Sequence, residues 1–416
     1  MEEMRVTLCL RRCASRLWRG LLFRRHGREA TRAVVDGRVA EQTELLSETP
    51  KLRILLVTAR YVPDIGGTEL HTKELADRLA AAGHNVTVLT TDLTGRYPAV
   101  ELDARTGLVI QRVRAWPARR DFYLAPGIYS TIRRGCWDVV HCQGYHTFVA
   151  PLAMLAAQRS HIPYIVSFHS GGHSSRFRRS LRRLHHWTLR PLLRRACWLV
   201  AGSRSEAEFF QKRLGFASNV FRIIAVHAAL PVVPRVEPDR HHPLILSVGR
   251  LEQYKGHHKV IEALPLVADR QPGVTLRVVG DGPYEPQLRR LVDKLGVKGS
   301  VEIKAVPATQ REEMAQLMSQ AWLVVSLSDF ESAGLAIREA VLLGRRVLVT
   351  ETLAFADLLQ SPLVGQIPSH SSREQIAAAI VGHLQQPDGD GARLVADWDA
   401  CVSAYETLYH FAVRGR

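Results

Sequence analysis

Two glutamates stand eight residues apart in the stretch 326–350, SLSDFESAGLAIREAVLLGRRVLVT. Glu331 falls in a polar turn, 328–332, that follows an apolar run reading as a buried parallel strand. Glu339 falls inside a helix predicted over 335–343, which Gly344 closes. Eight residues of helix is a little over two turns, so both carboxylates can face one ligand. Between them Gly334 lets the backbone approach that ligand closely. The loop's free N–H groups, at the positive end of a helix, favour an anion. Carboxylates for hydroxyls beside amides for phosphate suit a ligand that carries both, such as a nucleotide-sugar. The plain alternative is a solvated acidic pair on an ordinary amphipathic helix.

A second group lies upstream. Gly249-Arg250-Leu251-Glu252-Gln253-Tyr254-Lys255-Gly256 separates a buried strand at 244–248 from a helix at 257–268. Two cations five apart, bounded by glycines ahead of a helix N-terminus, make a diphosphate site, with Arg250 able to bind bidentately and Lys255 acting as a point charge. Gly280-Asp281-Gly282-Pro283 ends the next strand, 274–279, and its glycines can bring that turn close to a nucleotide base or ribose. In the first half, Gly66 and Gly67 form a turn between a strand at 52–58 and a helix at 69–82. This is a βαβ opening without a GxGxxG fingerprint, so dinucleotide binding is not indicated. Strands at 138–141 and 163–167 each end near histidines. His169, followed by Gly171 and Gly172, can donate a hydrogen bond to a sugar hydroxyl or phosphate, or line an acceptor site. His141, His146 and His173 read as structural or loop residues.

Together these motifs resemble the family 4 retaining glycosyltransferases. The resemblance rests on Glu331, seven residues, Glu339, with Gly334 and a following Ala-x3-Gly; on GRLxxxKG at 249–256; on PxxGGxE at 63–69 with GHxVxVLT after it; and on a strand ending in Phe168-His169. It covers about residues 52–410. It implies a GT-B fold, an α/β architecture of two Rossmann-like doubly wound domains facing a central cleft. It also implies that Glu339 holds the donor's ribose hydroxyls and Glu331 the sugar near its anomeric carbon. Backbone N–H groups of Ala333, Gly334 and Leu335 would hold sugar hydroxyls, and Arg250 and Lys255 would neutralise the leaving diphosphate. Gly66 and Gly67 would form a cleft loop, with Gly280 and Gly282 on the donor side and His169 near the reaction. No metal and no cofactor is expected, only a co-substrate such as a UDP- or GDP-sugar, and no DxD-type pair stands where a metal site would need one. The sequence departs from the family at Ala333, at Arg346, at His227-Ala228-Ala229-Leu230 and at Glu351-Thr352-Leu353-Ala354, which puts details of donor and acceptor contact in doubt.

The elements that must position these residues fill a 416-residue chain, enough for two domains with full cores. The division reads as a basic extension at 1–50, a first Rossmann-like acceptor-side domain at 51–230, a linker at 231–242, a donor-binding domain at 243–391, and a helix at 392–416 returning to the first domain. Six scattered cysteines without a CxxC pair point to a reduced, cytoplasmic setting. No apolar run approaches the ~20 residues that span a bilayer.

The net charge of +16 is concentrated, because eight arginines and no acid lie between Arg176 and Arg195. Phe177, Leu181, Leu184 and Thr188 would form one stripe of a basic amphipathic helix there, with Trp187 beside it. It reads either as a packed domain helix or as a dock for an anionic membrane surface, which would make the protein peripheral on the inner face. Nucleic acid is not expected, since no stacking platform accompanies the charge. The expectation is a metal-independent enzyme moving a hexose-type sugar from a nucleotide-sugar to a hydroxyl acceptor, lipid-linked or a cell-envelope glycan precursor. The rivals are a nucleotide-sugar hydrolase or epimerase, and a catalytically weak membrane-binding scaffold of the same fold.

Overall fold

The computed structural model describes residues 50–415 apart from 65, 118–122, 146, 170–186, 227–229, 232, 235, 308–309, 332–333, 357 and 387–397. Two parallel sheets organise it. With strands numbered along the chain, the first runs β3-β4-β2-β1-β5-β6-β7-β8 and the second β11-β10-β9-β12-β13-β14, where β2 is Asn85–Asp92, β7 Trp198–Ala201, β8 Phe221–Ile223 and β10 Thr275–Val279. Among the described residues every pairing between these strands is parallel except that of β3 (Val100–Leu102) with β4 (Val109–Arg114). The strands are short apolar runs, such as β1 (Arg53–Thr58, RILLVT) and β12 (Leu323–Ser326, LVVS), buried on both faces as parallel strands must be. Counted within its own domain, the second sheet has the order 3-2-1-4-5-6, the doubly wound Rossmann arrangement. In such a sheet the strand order reverses once, and the crevice beyond the strand ends at that point takes the ligand. The reversal falls between β1 and β5 (Val139–Gln143) in the first sheet. It falls between β9 (Leu244–Val248) and β12 in the second.

Helices cover both faces of each sheet. One face of the first packs α2 (Pro126–Arg134), α3 (Val149–Arg159) and α4 (Arg204–Leu214) around Ile128, Met154 and Phe210. The other packs α1 (Gly67–Ala81) through Leu75 and Leu79. The second sheet is covered by α5 (His257–Ala268), α6 (Glu285–Leu295) and α9 (Arg373–Leu384) on one side. On the other lie α7 (Arg311–Gln320) and α8 (Leu335–Leu342). The last helix, α10 (Trp398–Arg414), leaves the second domain and buries Trp398, Tyr405, Leu408 and Tyr409 in the core beneath α1. His84 ties it there with a hydrogen bond of 2.9 Å to Glu406.

Several elements differ from the sequence reading. Helix α3 (VAPLAMLAAQR) is apolar almost all round, so it has no amphipathic period to detect. Helix α2, strand β3 and strand β14 (Val364–Ile367) are too short to carry a clear periodic signal. Of the basic segment, the arginines 176–183 and the residues Phe177, Leu181 and Leu184 lie outside the described residues, while 187–193 are helical. There Leu189 and Leu193 enter the core, Thr188 is exposed and Trp187 is 71% exposed. The buried stripe therefore runs through the leucines rather than through Thr188. Cys136 is disulfide-bonded. Among the described residues no helix is long and apolar enough to cross a membrane.

Candidate active site

The loops that follow β9 and β12 bring Lys255 and Glu331 together. After β9 the chain turns at Gly249 and makes one helical turn at Gln253–Lys255. It then enters α5 through Gly256, whose φ of 74° and close approach to the Leu327 carbonyl leave no room for a side chain. Asp329 N–H donates to the Tyr254 carbonyl at 2.8 Å, joining this loop to the one after β12. Lys255 Nζ accordingly donates to Glu331 Oε1 at 2.6 Å, and Ser328 Oγ donates to the same oxygen at 2.8 Å. Thr350 Oγ1 donates to the Ser328 carbonyl and fixes that turn from β13 (Arg346–Thr350). Burial alone would lower the Lys255 pKa, but the Glu331 carboxylate outweighs it and holds the ammonium above its ordinary range. Arg250 stands half exposed, its guanidinium 3.8 Å from Glu252.

Gly334 opens α8 at φ 59°, and a Cβ there would strike the Phe355 ring. Leu335 begins that helix, while Ala333 lies outside the described residues. Glu339, 5% exposed, is ion-paired with Arg311 at the start of α7. Burial raises its pKa to about 7 against the lowering pull of Arg311. Gly280 and Gly282 pack closely against the loop after β9. Side chains there would collide with the backbone of Gly249 and Leu251, and Leu251 N–H donates to the Asp281 carbonyl. These two glycines are explained by seating the loop that carries Arg250. His257 serves the same loop, its Nε2 donating to the Arg250 carbonyl at 3.2 Å and its Nδ1 lying 2.8 Å from Ser247 Oγ.

The first domain supplies the facing wall. A Cβ added to Gly67 would stand 3.1 Å from Leu335 Cδ1, so the Gly66-Gly67 turn touches the start of α8 across the cleft. Glu69 curls back over Gly66. Its pKa is raised by burial, against the lowering influence of its own backbone N–H, Arg60 and Arg250. His169 lies just beyond β6 (Tyr164–Ser167) and Gln143 ends β5. His169 Nε2 is 2.6 Å from Gln143 Oε1. His141 is fully buried beneath them, so its structural reading fits its place, whereas His146 and His173 lie outside the described residues. Gly66, Gly256 and Gly334 are the N-caps of α1, α5 and α8 and bring no side chain to those helix starts, whereas Ser203 and Ser372 cap α4 and α9 with side chains. A helix start without a side-chain cap leaves its N–H groups for a ligand.

Arg311, Ser328, Tyr254, His257 and Gln143 were given no role from the sequence. Arg311 stands at the first turn of the helix following β11 (Val301–Lys304), an edge strand of the second sheet, and no sequence motif marks it. Among the described residues no group of three or more His, Cys, Asp or Glu is placed to hold a metal ion.

Comparison with known proteins agrees with this architecture. Residues 65–225 match the model of Glycosyltransferase Family 4, and residues 234–390 that of Glycosyl transferases group 1. The two matches meet near the linker and together cover most of the chain. The protein belongs to the family 4 glycosyltransferases and has their GT-B fold. A glycogen synthase of Mycobacterium tuberculosis is 27% identical, over 88% of this chain and 96% of that protein. A GDP-mannose:cellobiosyl-diphosphopolyprenol alpha-mannosyltransferase of Xanthomonas oryzae is 25% identical, over 87% and 97%. Among solved structures, a sucrose-phosphate synthase from Thermosynechococcus elongatus superposes with a TM-score of 0.65 at 18% identity, covering 87% of this chain and 99% of that one. Anabaena HepE in complex with UDP and glucose superposes with a TM-score of 0.62 at 17% identity, covering 87% and 95%.

Proposed function

We propose that this glycosyltransferase takes a hexose-type sugar from a nucleotide-sugar and transfers it, with retention of anomeric configuration and without a metal ion, to a hydroxyl acceptor. The observation that carries the reading is the contact of Lys255 with Glu331 at 2.6 Å beyond the strands that flank the second sheet's reversal point, with Arg250 on the same loop as Lys255 and Glu339 on the helix that follows Glu331. In this reading Glu339 exchanges its Arg311 partner for the ribose hydroxyls. Lys255 shifts from Glu331 towards the diphosphate, and Arg250 swings in from solvent. Both cations neutralise the charge that grows on the leaving phosphate, the work a metal ion does elsewhere. Glu331, so released, meets the sugar near its anomeric carbon. The leaving phosphate itself takes the acceptor's proton on the same face. The N–H groups of Gly334 and Leu335, and Ala333 beside them, hold sugar hydroxyls, and His169 contacts the substrate from the opposite wall.

A relative named for a diphosphopolyprenol substrate supports placing the acceptor on a lipid carrier. The exposed Trp187 beside the arginine-rich segment supports docking on an anionic membrane surface. The test is product analysis with UDP-, GDP- and ADP-sugars, with and without lipid-linked acceptor. Acceptor-dependent release of nucleoside diphosphate, with an α-linked product from an α-linked donor, is the expected result. Equal release without acceptor would point to a hydrolase. Binding to anionic liposomes with no response to any nucleotide-sugar would point to a scaffold.

A further inference from the structure

We propose that Gln143 is a positioning residue for His169, and that the C-terminal helix reaches the active site through it. The inference rests on the reading of His169 as a substrate contact and adds how that contact is set. Gln143 is buried at the end of β5, one strand from the loop that carries His169. An amide oxygen can only accept, so at 2.6 Å it requires the His169 proton on Nε2 and places the lone pair on Nδ1. In the neutral ring that lone pair can accept a hydrogen bond from a substrate hydroxyl, a role this proposal sets beside the donor and acceptor-site roles expected from the sequence.

The other end of the Gln143 amide is fixed from below. Its nitrogen lies 3.2 and 3.3 Å from the two ring nitrogens of His141. His141 Nδ1 is 2.7 Å from the Tyr409 hydroxyl, and Nε2 is 2.8 Å from Ser167 Oγ, which lies 3.3 Å from the Tyr405 hydroxyl. Both tyrosines belong to α10, so a helix at the far end of the sequence sets the floor of the cleft. The His169 ring also leans on His71 of α1 at 5.1 Å, and His71 stacks on Trp398 of α10 at 5.4 Å.

The titratable groups packed around His169 and Gln143 are thus His71, His141, Tyr405 and Tyr409. Burial, reinforced by His169, lowers the His141 pKa to about 3, and burial raises both tyrosines, so these three stay uncharged at neutral pH. The frame acts through direction, not charge. His169 itself sits at φ 41°, a conformation that few non-glycine residues adopt and that surrounding structure must impose. His161 shares that feature at the turn after α3, where nothing comparable surrounds it and a helix end accounts for it.

Histidine-selective 15N labelling of the full chain tests this, with His169→Asn to assign the ring. The wild-type His169 is expected to show a single Nε2–H tautomer near neutral pH. Gln143→Glu should keep that tautomer and raise the His169 titration by ~1–2 pH units, because a carboxylate stabilises the imidazolium. Gln143→Leu should give mixed tautomers and lower kcat by about 10- to 100-fold, with KM changed less than about threefold. A wild-type ring protonated on Nδ1, or spectra that neither Gln143 variant alters, would overturn the proposal. Should Gln143→Leu not fold, the wild-type and Gln143→Glu spectra still decide. If the spectra respond as described while the wild type transfers sugar from no nucleotide donor, the positioning stands and the catalytic reading of the cleft fails.

Discussion

On the wall of the cleft formed by the second sheet, Lys255 with Glu331 and Arg311 with Glu339 stand as ion pairs. On the wall formed by the first sheet, His169, Gln143, His141, Ser167 and Tyr409 are joined by hydrogen bonds, and burial keeps His141 and Tyr409 uncharged. The difference separates two tasks. An ion pair at a half-buried site can trade one partner for a charged or polyhydroxylated ligand, because each ion left alone would be costly. A buried neutral network cannot trade partners without stranding a polar atom, so it holds one geometry. The charged wall suits a nucleoside diphosphate, and the neutral wall suits the orientation of a sugar or its acceptor.

Substitutions can break or sharpen this contrast. Lys255→Ala removes a partner from Glu331 and from the diphosphate together, and is expected to lower turnover about 10²- to 10³-fold. His169→Asn on the neutral wall should cost nearer tenfold, and steady-state kinetics in which the order is reversed would erase the distinction. Gly334→Ala meets both the left-handed backbone and the Phe355 ring. A loss of about 1–3 kcal/mol in denaturant unfolding is expected, with weakened donor binding.

Tyr409→Phe should cost about 1–2 kcal/mol of stability, since it leaves His141 without one of its buried partners. Glu339 makes a prediction about pH. Its folded-state pKa of about 7 exceeds the ordinary 4.5, so the folded protein holds a proton there that the unfolded chain has lost. That contribution is fully present below about pH 4.5 and disappears as pH rises through 7. Stability should therefore fall over this window, and Glu339→Gln should flatten the fall. Donor affinity should rise over the same window as the carboxylate ionises, and the variant should lack that rise. Trp187→Ala should alter stability by less than ~0.5 kcal/mol, its ring being in solvent, while weakening sedimentation with anionic vesicles.

Much of the charged wall was legible in the chain because its residues lie close together in sequence. Arg250 and Lys255 share one glycine-bounded loop, and Glu331 and Glu339 share one strand–helix unit. The two-sheet fold was legible for a similar reason, since each parallel strand is a compact apolar run. The partners that complete the wall were not. Arg311 reaches Glu339 across 28 residues, and nothing local marks it as special. The neutral wall was less legible still, because His141 meets Tyr409 over a separation of 268 residues. Gly280 and Gly282 add a packing role that the motif did not show, against the backbone of Gly249 and Leu251.

The central claim is that one sugar-diphosphate is held by the charged wall between the two lobes. Thermal unfolding of the wild type and of Lys255→Ala, each with saturating UDP-, GDP- and ADP-sugars, tests it most directly. At ligand concentrations near 100 times Kd, at least one donor should raise the wild-type Tm by several degrees, since such binding contributes about 2.7 kcal/mol. The same donor should leave the folded variant's Tm within about a degree of its ligand-free value. A shift of equal size in both proteins, or none in the wild type with any donor, would contradict the account.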